Sequence, residues 1–277
     1  MICFPNAKIN LGLHIIEKRS DGFHNIETVF YPIGWCDVLE AIENRLHRKG
    51  SDKISLGVSG IKAGSAKSNL VTKAYRLLDE KYNLPPVKAH LHKTIPVGAG
   101  LGGGSADAAF FIQLMDDKFG LKMSHTEKLA TAAKLGSDCA FFIENKPVFA
   151  TGKGDVFTPA QVDLNKYFLV LIFPAIHSNT AEAYRGVIPA KATFELKDVM
   201  TEGVKKWNEK LVNDFEKNIF YRFPEIENIK SKFYERGALY ASMSGSGSAV
   251  FGVFEKEIDM KEFGFPANYL TWTSALS

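Results

Sequence analysis

The residues best suited to chemistry lie in Ile95-Pro96-Val97-Gly98-Ala99-Gly100-Leu101-Gly102-Gly103-Gly104-Ser105-Ala106-Asp107-Ala108-Ala109, where five of the seven residues 98–104 are glycine. Glycine brings no side chain to a core and loses the most backbone entropy on ordering, so this density marks a place that something approaches closely. Apolar residues then recur at Ala108, Phe111, Ile112, Met115 and Phe119, the spacing of an amphipathic helix, with Ser105 or Asp107 placed to cap its start. A glycine loop entering a helix N-terminus aims several free N–H groups and the positive end of the helix dipole at one spot, which suits phosphate.

Two phosphate-loop patterns compete for this stretch. Gly98, Gly100 and Gly103 satisfy the dinucleotide pattern G-x-G-x-x-G, yet no acidic residue about twenty positions on closes a second strand. The Walker A frame fits Gly98, Gly103 and Ser105, but Gly104 stands where the lysine belongs. A kinase built on this loop must import its cation. A flexible linker is disfavoured by the apolar lead-in through Pro96 and by the helix that follows.

The elements around the loop supply candidates for the rest of the chemistry. Ile9, Leu11, Leu13 and Ile15 alternate with Lys8, Asn10, Gly12 and His14, which predicts a half-buried strand with Lys8 and Asn10 on its polar face. The turn Arg19-Ser20-Asp21-Gly22 returns the chain into a second strand through Tyr31, with His24 at its start. Strands are expected over Asp37 to Ile42 and Lys53 to Val58, joined by the basic loop Arg45-Leu46-His47-Arg48-Lys49-Gly50. A helix capped by Ser68 follows, then an alternating strand from Val87 to Ile95. On that strand His90 and His92 share a face without carboxylate or cysteine neighbours, which suits solvated side chains better than a metal pair.

Beyond the loop helix, Ser124-His125-Thr126-Glu127 is a capping box, and Gly136 is the expected left-handed residue ending that helix. Asp138 then lies in an apolar run, Ser137-Asp138-Cys139-Ala140-Phe141-Phe142, where a helix-capping role and a buried carboxylate awaiting a cation are both open. Tyr167 to Phe173 predicts a central buried strand opening a second domain. Asn213-Asp214-Phe215-Glu216 is expected to cap a later helix. Two apolar strands flank Ser244-Gly245-Ser246-Gly247-Ser248, making it a structured turn rich in N–H groups.

Composition narrows the partners. The 277 residues carry a net charge of +3 with acids and bases interspersed, which gives no footprint for nucleic acid or membrane. There is no signal-peptide order and no apolar run of spanning length, and the cysteines Cys3, Cys36 and Cys139 lack metal spacing. A cytoplasmic protein acting on a small anionic molecule is the expectation.

Three separated motifs, Pro5-Asn6-Ala7-Lys8-Ile9-Asn10-Leu11, the loop Pro96 to Ala109, and Met243-Ser244-Gly245-Ser246-Gly247-Ser248, together resemble the galactokinase, homoserine kinase, mevalonate kinase and phosphomevalonate kinase (GHMP) superfamily. The Arg19-Ser20-Asp21-Gly22-Phe23-His24 turn, Leu135 to Phe142 and Gly237-Ala238-Leu239 are similar to the branch that phosphorylates a cytidine diphosphate-linked methylerythritol outside the mevalonate route. The resemblance spans nearly the whole chain. It implies an α+β fold of two domains: residues 1–157 as a mixed α/β domain of the ribosomal protein S5 domain 2 type, and residues 158–277 as a ferredoxin-like sandwich.

It also implies roles. Pro96, Val97, Gly98, Ala99, Gly100, Leu101, Gly102, Gly103, Gly104, Ser105 and Ala106 would cradle the phosphates of ATP, with Asn69 and Lys93 toward the adenosine. Asp138 would take the proton from the acceptor's 2-hydroxyl, and Lys8 would sit against it as the imported cation. Asn10, Phe23, His24, Tyr184 and Gly245 would line the substrate side. Mg²⁺ is implied with ATP, without a protein ligand to nominate, and a monomer or homodimer is expected. Ala106, Phe23 and Lys153 depart from the serine, tyrosine and arginine frequent in the family. The alternatives are a homoserine- or mevalonate-type kinase and a non-catalytic sensor on the same scaffold. The Asp-Gly-Phe-His turn argues against the first, and the retention of Lys8 and Asp138 against the second.

Overall fold

A computed structural model describes residues 1–48, 50–191 and 195–276. Lys49 of the basic loop, and residues 192–194 and 277 of the C-terminal segment, lie outside the described residues. In chain order the elements are β1 (Ile2–Cys3), β2 (Asn6–Lys18), β3 (His24–Cys36), β4 (Val38–Glu43), β5 (Ile54–Gly60), α1 (Leu70–Tyr82), β6 (Val87–Lys93), α2 (Gly103–Phe119), α3 (His125–Ala133), α4 (Phe141–Glu144), β7 (Val148–Thr151), β8 (Val156–Pro159) and β9 (Phe168–Phe173). They continue with α5 (Thr180–Arg185), α6 (Leu196–Thr201), α7 (Glu216–Arg222), α8 (Pro224–Glu235), β10 (Tyr240–Met243), β11 (Val250–Phe254) and β12 (Leu270–Ala275). Packing divides the chain into two compact units that interleave along it: Met1–Ala7, Trp35–Val97 and Gly102–Asn145 form one, and Lys8–Gly34, Gly98–Leu101 and Lys146–Ser277 the other.

The first unit holds a sheet of order β1-β4-β6-β5, in which β4 pairs antiparallel and β5 parallel with β6. β6 alternates as its sequence requires: Val87, Ala89, Leu91 and Lys93 are buried, and Lys88, His90 and His92 are exposed. The exposed His90 and His92 both meet the Ser59 hydroxyl, at 2.8 and 3.0 Å. α1 and α2 pack on each other, burying Ala74, Tyr75 and Leu78 from one and Phe111, Ile112 and Met115 from the other. Each large apolar side chain so buried contributes roughly 1.5–3 kcal/mol before entropy is counted.

Two sheets lie in the second unit, one of order β2-β3-β7-β8 and the other of order β10-β11-β9-β12. The run Phe168–Phe173 is central in its sheet, paired antiparallel with β11 and β12, as its unbroken apolar sequence demands. α8 lies on this sheet, with Phe233 meeting Phe254 and Phe263 edge-on.

Several local expectations change. β2 is buried on both faces through Ile15, because its polar side is covered as well: Lys8 and Asn10 meet Gly100 and Ser244, and a methyl on Gly12 would lie 3.0 Å from Leu196 and 3.3 Å from Leu211. Asn69, not Ser68, caps α1, its side chain accepting from Val71 N at 2.9 Å. The capping box of α3 forms as read, but Gly136 is extended and the helix ends at Lys134. Asn213 meets the start of α7 from further out than the cap residue, Phe215: its Oδ1 accepts from Phe215 N at 3.0 Å, while its amide donates to the carbonyls of Met243 and Gly245 at 2.7 and 2.8 Å.

Candidate functional site

α2 begins two residues before Ser105, with Gly102 as its cap residue in the left-handed region (φ +71°) and no side-chain cap bond. Ser105 and Asp107 are therefore inside the helix, and the first-turn N–H groups are left to an external acceptor. A glycine cap keeps that end open, which suits an incoming anion better than the serine or aspartate cap expected from sequence. Gly104 is exposed and Ser105 half-buried at this end, while Ala106 is fully buried. Pro96, buried, and Val97, exposed, lead into the loop.

The loop segment Gly98–Leu101 belongs to the second unit, where the serine-glycine turn braces it. The Ser244 hydroxyl donates to Gly100 O at 2.9 Å, and Ala249 N donates to Ala99 O at 3.1 Å. Gly100 has φ +81°, and a Cβ there would lie 1.9 Å from Ser244 O. A Cβ on Gly98 (φ +71°) would lie 2.8 Å from the His177 ring. Gly245 is buried with φ +56°. Both sides of this contact therefore require glycine.

Lys8 is 3% exposed on β2. Its ammonium donates to Asn10 Oδ1 at 2.5 Å and to Gly100 O at 3.0 Å, and lies 4.9 Å from the Phe30 ring centroid. Asn10 in turn donates to Thr28 Oγ1 at 3.0 Å, and Thr28 donates to Gly12 O. The lysine-free loop thus receives a buried cation from a distant strand, which is the imported charge its sequence calls for.

The second unit also carries a cavity of about 700 Å³ lined by Lys18, Phe23, His24, Lys153, Tyr184 and Arg185, among others. His24 stacks on Tyr184 with ring centroids 4.6 Å apart and planes at 15°, and Phe215 fixes Tyr184 edge-on at 4.9 Å. Phe23 is 58% exposed, with the Lys153 ammonium 4.9 Å from its ring centroid. Burial, helped by the Lys18 ammonium, pushes the His24 imidazole below its ordinary range, which favours the neutral ring. Aromatic faces with cations around them suit a flat base carrying phosphate.

In the first unit, Asp138 sits on a 3-10 turn, Ser137–Cys139, with the Ser137 hydroxyl 3.5 Å from its Oδ1. It is half-buried, less enclosed than its apolar neighbours suggested. Asn69 spends its side-chain oxygen on the α1 cap. Lys93 departs furthest from expectation: it is 2% exposed, with its ammonium held by Asp37 and, at 2.8 Å, by Asp107. That ammonium is committed to two carboxylates, so direct contact with adenosine gives way to a supporting position.

Burial, opposed by Lys93 and reinforced by Asp37, pushes the Asp107 carboxyl up to about 7. An unfolded aspartate titrates at about 3.9, so the folded chain holds a proton that the unfolded chain releases between these values. This contribution to stability is complete below about pH 4 and is lost as pH rises through about 7. Urea midpoints are expected to fall less steeply between about pH 4 and 7 in Asp107→Asn than in the wild type. Parallel profiles in the two proteins would place the titration elsewhere.

Known proteins share both halves of this arrangement. Residues 69–146 match the family model described as "GHMP kinases N terminal domain", and residues 198–263 match "GHMP kinases C terminal". The chain is 49% identical, over all of both sequences, to a protein of Parabacteroides distasonis named 4-diphosphocytidyl-2-C-methyl-D-erythritol kinase. The chain belongs to the 4-diphosphocytidyl-2-C-methyl-D-erythritol kinase family.

A relative of the same name from Azobacteroides pseudotrichonymphae is 51% identical over 92% of this chain and 94% of its own. A crystal structure of a 4-(cytidine 5'-diphospho)-2C-methyl-D-erythritol kinase superposes with a TM-score of 0.78 at 29% identity, covering 91% of this chain and 90% of that one. Mevalonate kinase of Methanococcus jannaschii shares the fold, with a TM-score of 0.71 at 14% identity over 100% and 98% of the two chains. The GHMP kinase fold expected from the motifs is therefore the fold of this family member. No helix among the described residues is long and apolar enough to cross a membrane.

Sequence reading did not single out Thr28, and it placed Ser244 in a turn and Asn213 at a helix cap without the bonds by which they hold Asn10, Gly100 and the serine-glycine turn. Their partners lie up to 234 residues away in sequence, as with Asn10 and Ser244, so periodicity carried no sign of them. Thr28, a hydroxyl within an apolar strand, was the one local clue.

Proposed function

We propose that this chain transfers the γ-phosphoryl group of ATP to the 2-hydroxyl of 4-diphosphocytidyl-2-C-methyl-D-erythritol, giving the 2-phosphate and ADP. The observation that carries the acceptor is the His24–Tyr184 stack in a cation-lined cavity, in a chain similar from end to end to kinases named for that substrate. A small acceptor such as homoserine or mevalonate has no base to place there.

The glycine loop and the open first turn of α2 receive the nucleotide phosphates through backbone N–H groups, with Asn69 toward the adenosine. Lys8 supplies fixed positive charge for the transferring phosphoryl group, held in place beforehand by Asn10 and Gly100 O. Asp138 accepts the proton of the 2-hydroxyl as that oxygen forms its bond to phosphorus and the bond from phosphorus to the ADP oxygen breaks. The hydroxyl is tertiary and crowded, so alignment counts for more than basicity. Phe23, His24 and Tyr184 hold the cytosine, Asn10 and the Gly245 turn orient the remainder, and the linear segments 1–157 and 158–277 serve as the nucleotide-binding and C-terminal domains.

Mg²⁺ would arrive with ATP and supply positive charge against its phosphates. No group of three or more His, Cys, Asp or Glu among the described residues is arranged to hold a metal. A cytoplasmic monomer or homodimer is the setting that fits this reading.

The deciding experiment is ADP release by the purified protein with ATP and Mg²⁺, offering the cytidylyl compound, methylerythritol phosphate, homoserine or mevalonate. Release with the first alone is expected. Release with homoserine or mevalonate would overturn the acceptor, and silence with all four would favour a sensor. His24→Ala is expected to raise KM for the cytidylyl substrate roughly ten- to a hundredfold, the range of one base-stacking contact, with KM for ATP within about twofold. Equal weakening of both substrates would remove His24 from the base site.

A further inference from the structure

The first unit contains a buried charged group that the phosphoryl transfer above does not use. Asp37, Lys93 and Asp107 are 0%, 2% and 2% exposed and form a buried chain, with the Lys93 ammonium held between the two aspartate carboxyl groups. Asp37 Oδ1 also accepts the backbone N–H groups of Thr94, at 2.6 Å, and Ile95, at 2.9 Å, the residues that lead into the glycine loop. Asp107 lies in the second turn of α2, the helix that leaves the loop. Gly103, the first residue of that helix, rests directly on the group: a Cβ there would lie 2.8 Å from Ile95 Cγ2 and 3.3 Å from Lys93 Nζ. The backbone of Lys93 is pinned from β5, whose Gly60 would place a Cβ 2.2 Å from Lys93 O.

Stability alone does not explain such a group. Replacing buried ions by apolar side chains of similar size is often neutral or stabilising. The cost is visible here, because Asp107 Oδ1 is buried without a hydrogen-bond partner among the described residues. What the ions supply that hydrocarbon does not is direction, since an ammonium between two carboxylates fixes three backbone positions relative to one another.

We propose that Lys93 is a positioning residue for the nucleotide: clamped between Asp37 and Asp107, it keeps the strand end entering the phosphate loop and the helix leaving it in one register. It acts through the loop backbone and touches no substrate. The proposal rests on the reading that this loop receives ATP.

Lys93→Met alone leaves two carboxylates buried without their cation and invites unfolding, so two other variants carry the test. One is Asp107→Asn; the other combines Asp37→Asn, Lys93→Met and Asp107→Leu, which removes the charges and preserves volume. Both are expected to melt within a few degrees of the wild type, with KM for ATP raised about tenfold and KM for the cytidylyl acceptor within about twofold. If the combined variant does not fold, Asp107→Asn decides. An unchanged KM for ATP in a folded variant would overturn the proposal, as would equal rises in both KM values. Failure of the kinase reading would show separately, as absence of ADP release from the wild type.

Discussion

Asp138→Asn is expected to lower turnover by at least about a hundredfold while nucleotide affinity stays near the wild-type value. General-base removal of a proton contributes roughly 10²- to 10⁴-fold, and the crowded tertiary hydroxyl places this enzyme at the lower end, where alignment does most of the work. Asparagine preserves the shape of the 3-10 turn and can still accept from the Ser137 hydroxyl, which lies 3.5 Å from Oδ1. The substitution thus separates proton acceptance from local structure. Rapid-quench turnover and equilibrium titration with a non-hydrolysable ATP analogue would measure the two effects. A large loss of nucleotide affinity, or turnover within a few-fold of the wild type, would give Asp138 a structural role instead.

Gly100→Ala is expected to cost a comparable amount by a different route. Its Cβ would lie 1.9 Å from Ser244 O and 3.3 Å from Gly247 N, at a φ of +81° that side chains rarely adopt. The conformation alone costs about 1–3 kcal/mol, and the overlap requires the backbone to move. Ser244 cannot yield freely, because its N–H donates to Ala249 O at 2.8 Å and its carbonyl accepts from Gly247 N at 3.0 Å. The loop must shift, carrying with it Gly100 O and so the Lys8 ammonium that donates to it. A hundredfold or greater loss in kcat/KM for ATP is expected, of the order of 3 kcal/mol at about 1.4 kcal/mol per tenfold. Gly104→Ala is the control: its Cβ would meet only Leu70 Cδ1, at 4.0 Å, within a helix that favours alanine. A thermal midpoint preserved in Gly104→Ala but with weakened ATP binding would mark the surface that phosphate approaches. Unimpaired ATP use by Gly100→Ala would refute the account of the loop.

Local patterns were legible wherever one segment decided its own structure. The Ser124–Glu127 capping box formed as read, and the strands expected over Val87 to Ile95 and Tyr167 to Phe173 formed over Val87–Lys93 and Phe168–Phe173. Reading failed where the deciding partner was remote. β2 looked half-buried because nothing in residues 8–15 announces that Leu196 and Leu211 close over Gly12. The α2 cap was misplaced for a different reason: side-chain preferences favour serine or aspartate, whereas a left-handed Gly102 starts the helix without a side-chain bond. Lys8 was recognisable as a needed cation from what the loop lacked, and the roles of His24 and Tyr184 from the family motif. The bond from Asn213 to the serine-glycine turn had no such herald.

The interleaving of the two units has a consequence for how the chain comes off the ribosome. β2 emerges early, yet Leu13 bonds to Val212 and Asp214, and the Asn10 backbone to the Ser244 hydroxyl, 234 residues later. At about 5–20 residues per second, synthesis of that interval takes roughly 10–50 s. Throughout it, Ile9, Leu11, Leu13 and Ile15 await much of the surface that buries them. Nascent β2 is thus an apolar strand without its final neighbours, and its safe passage depends on the early hairpin with β3 and on whatever shields an unfinished chain in the cell.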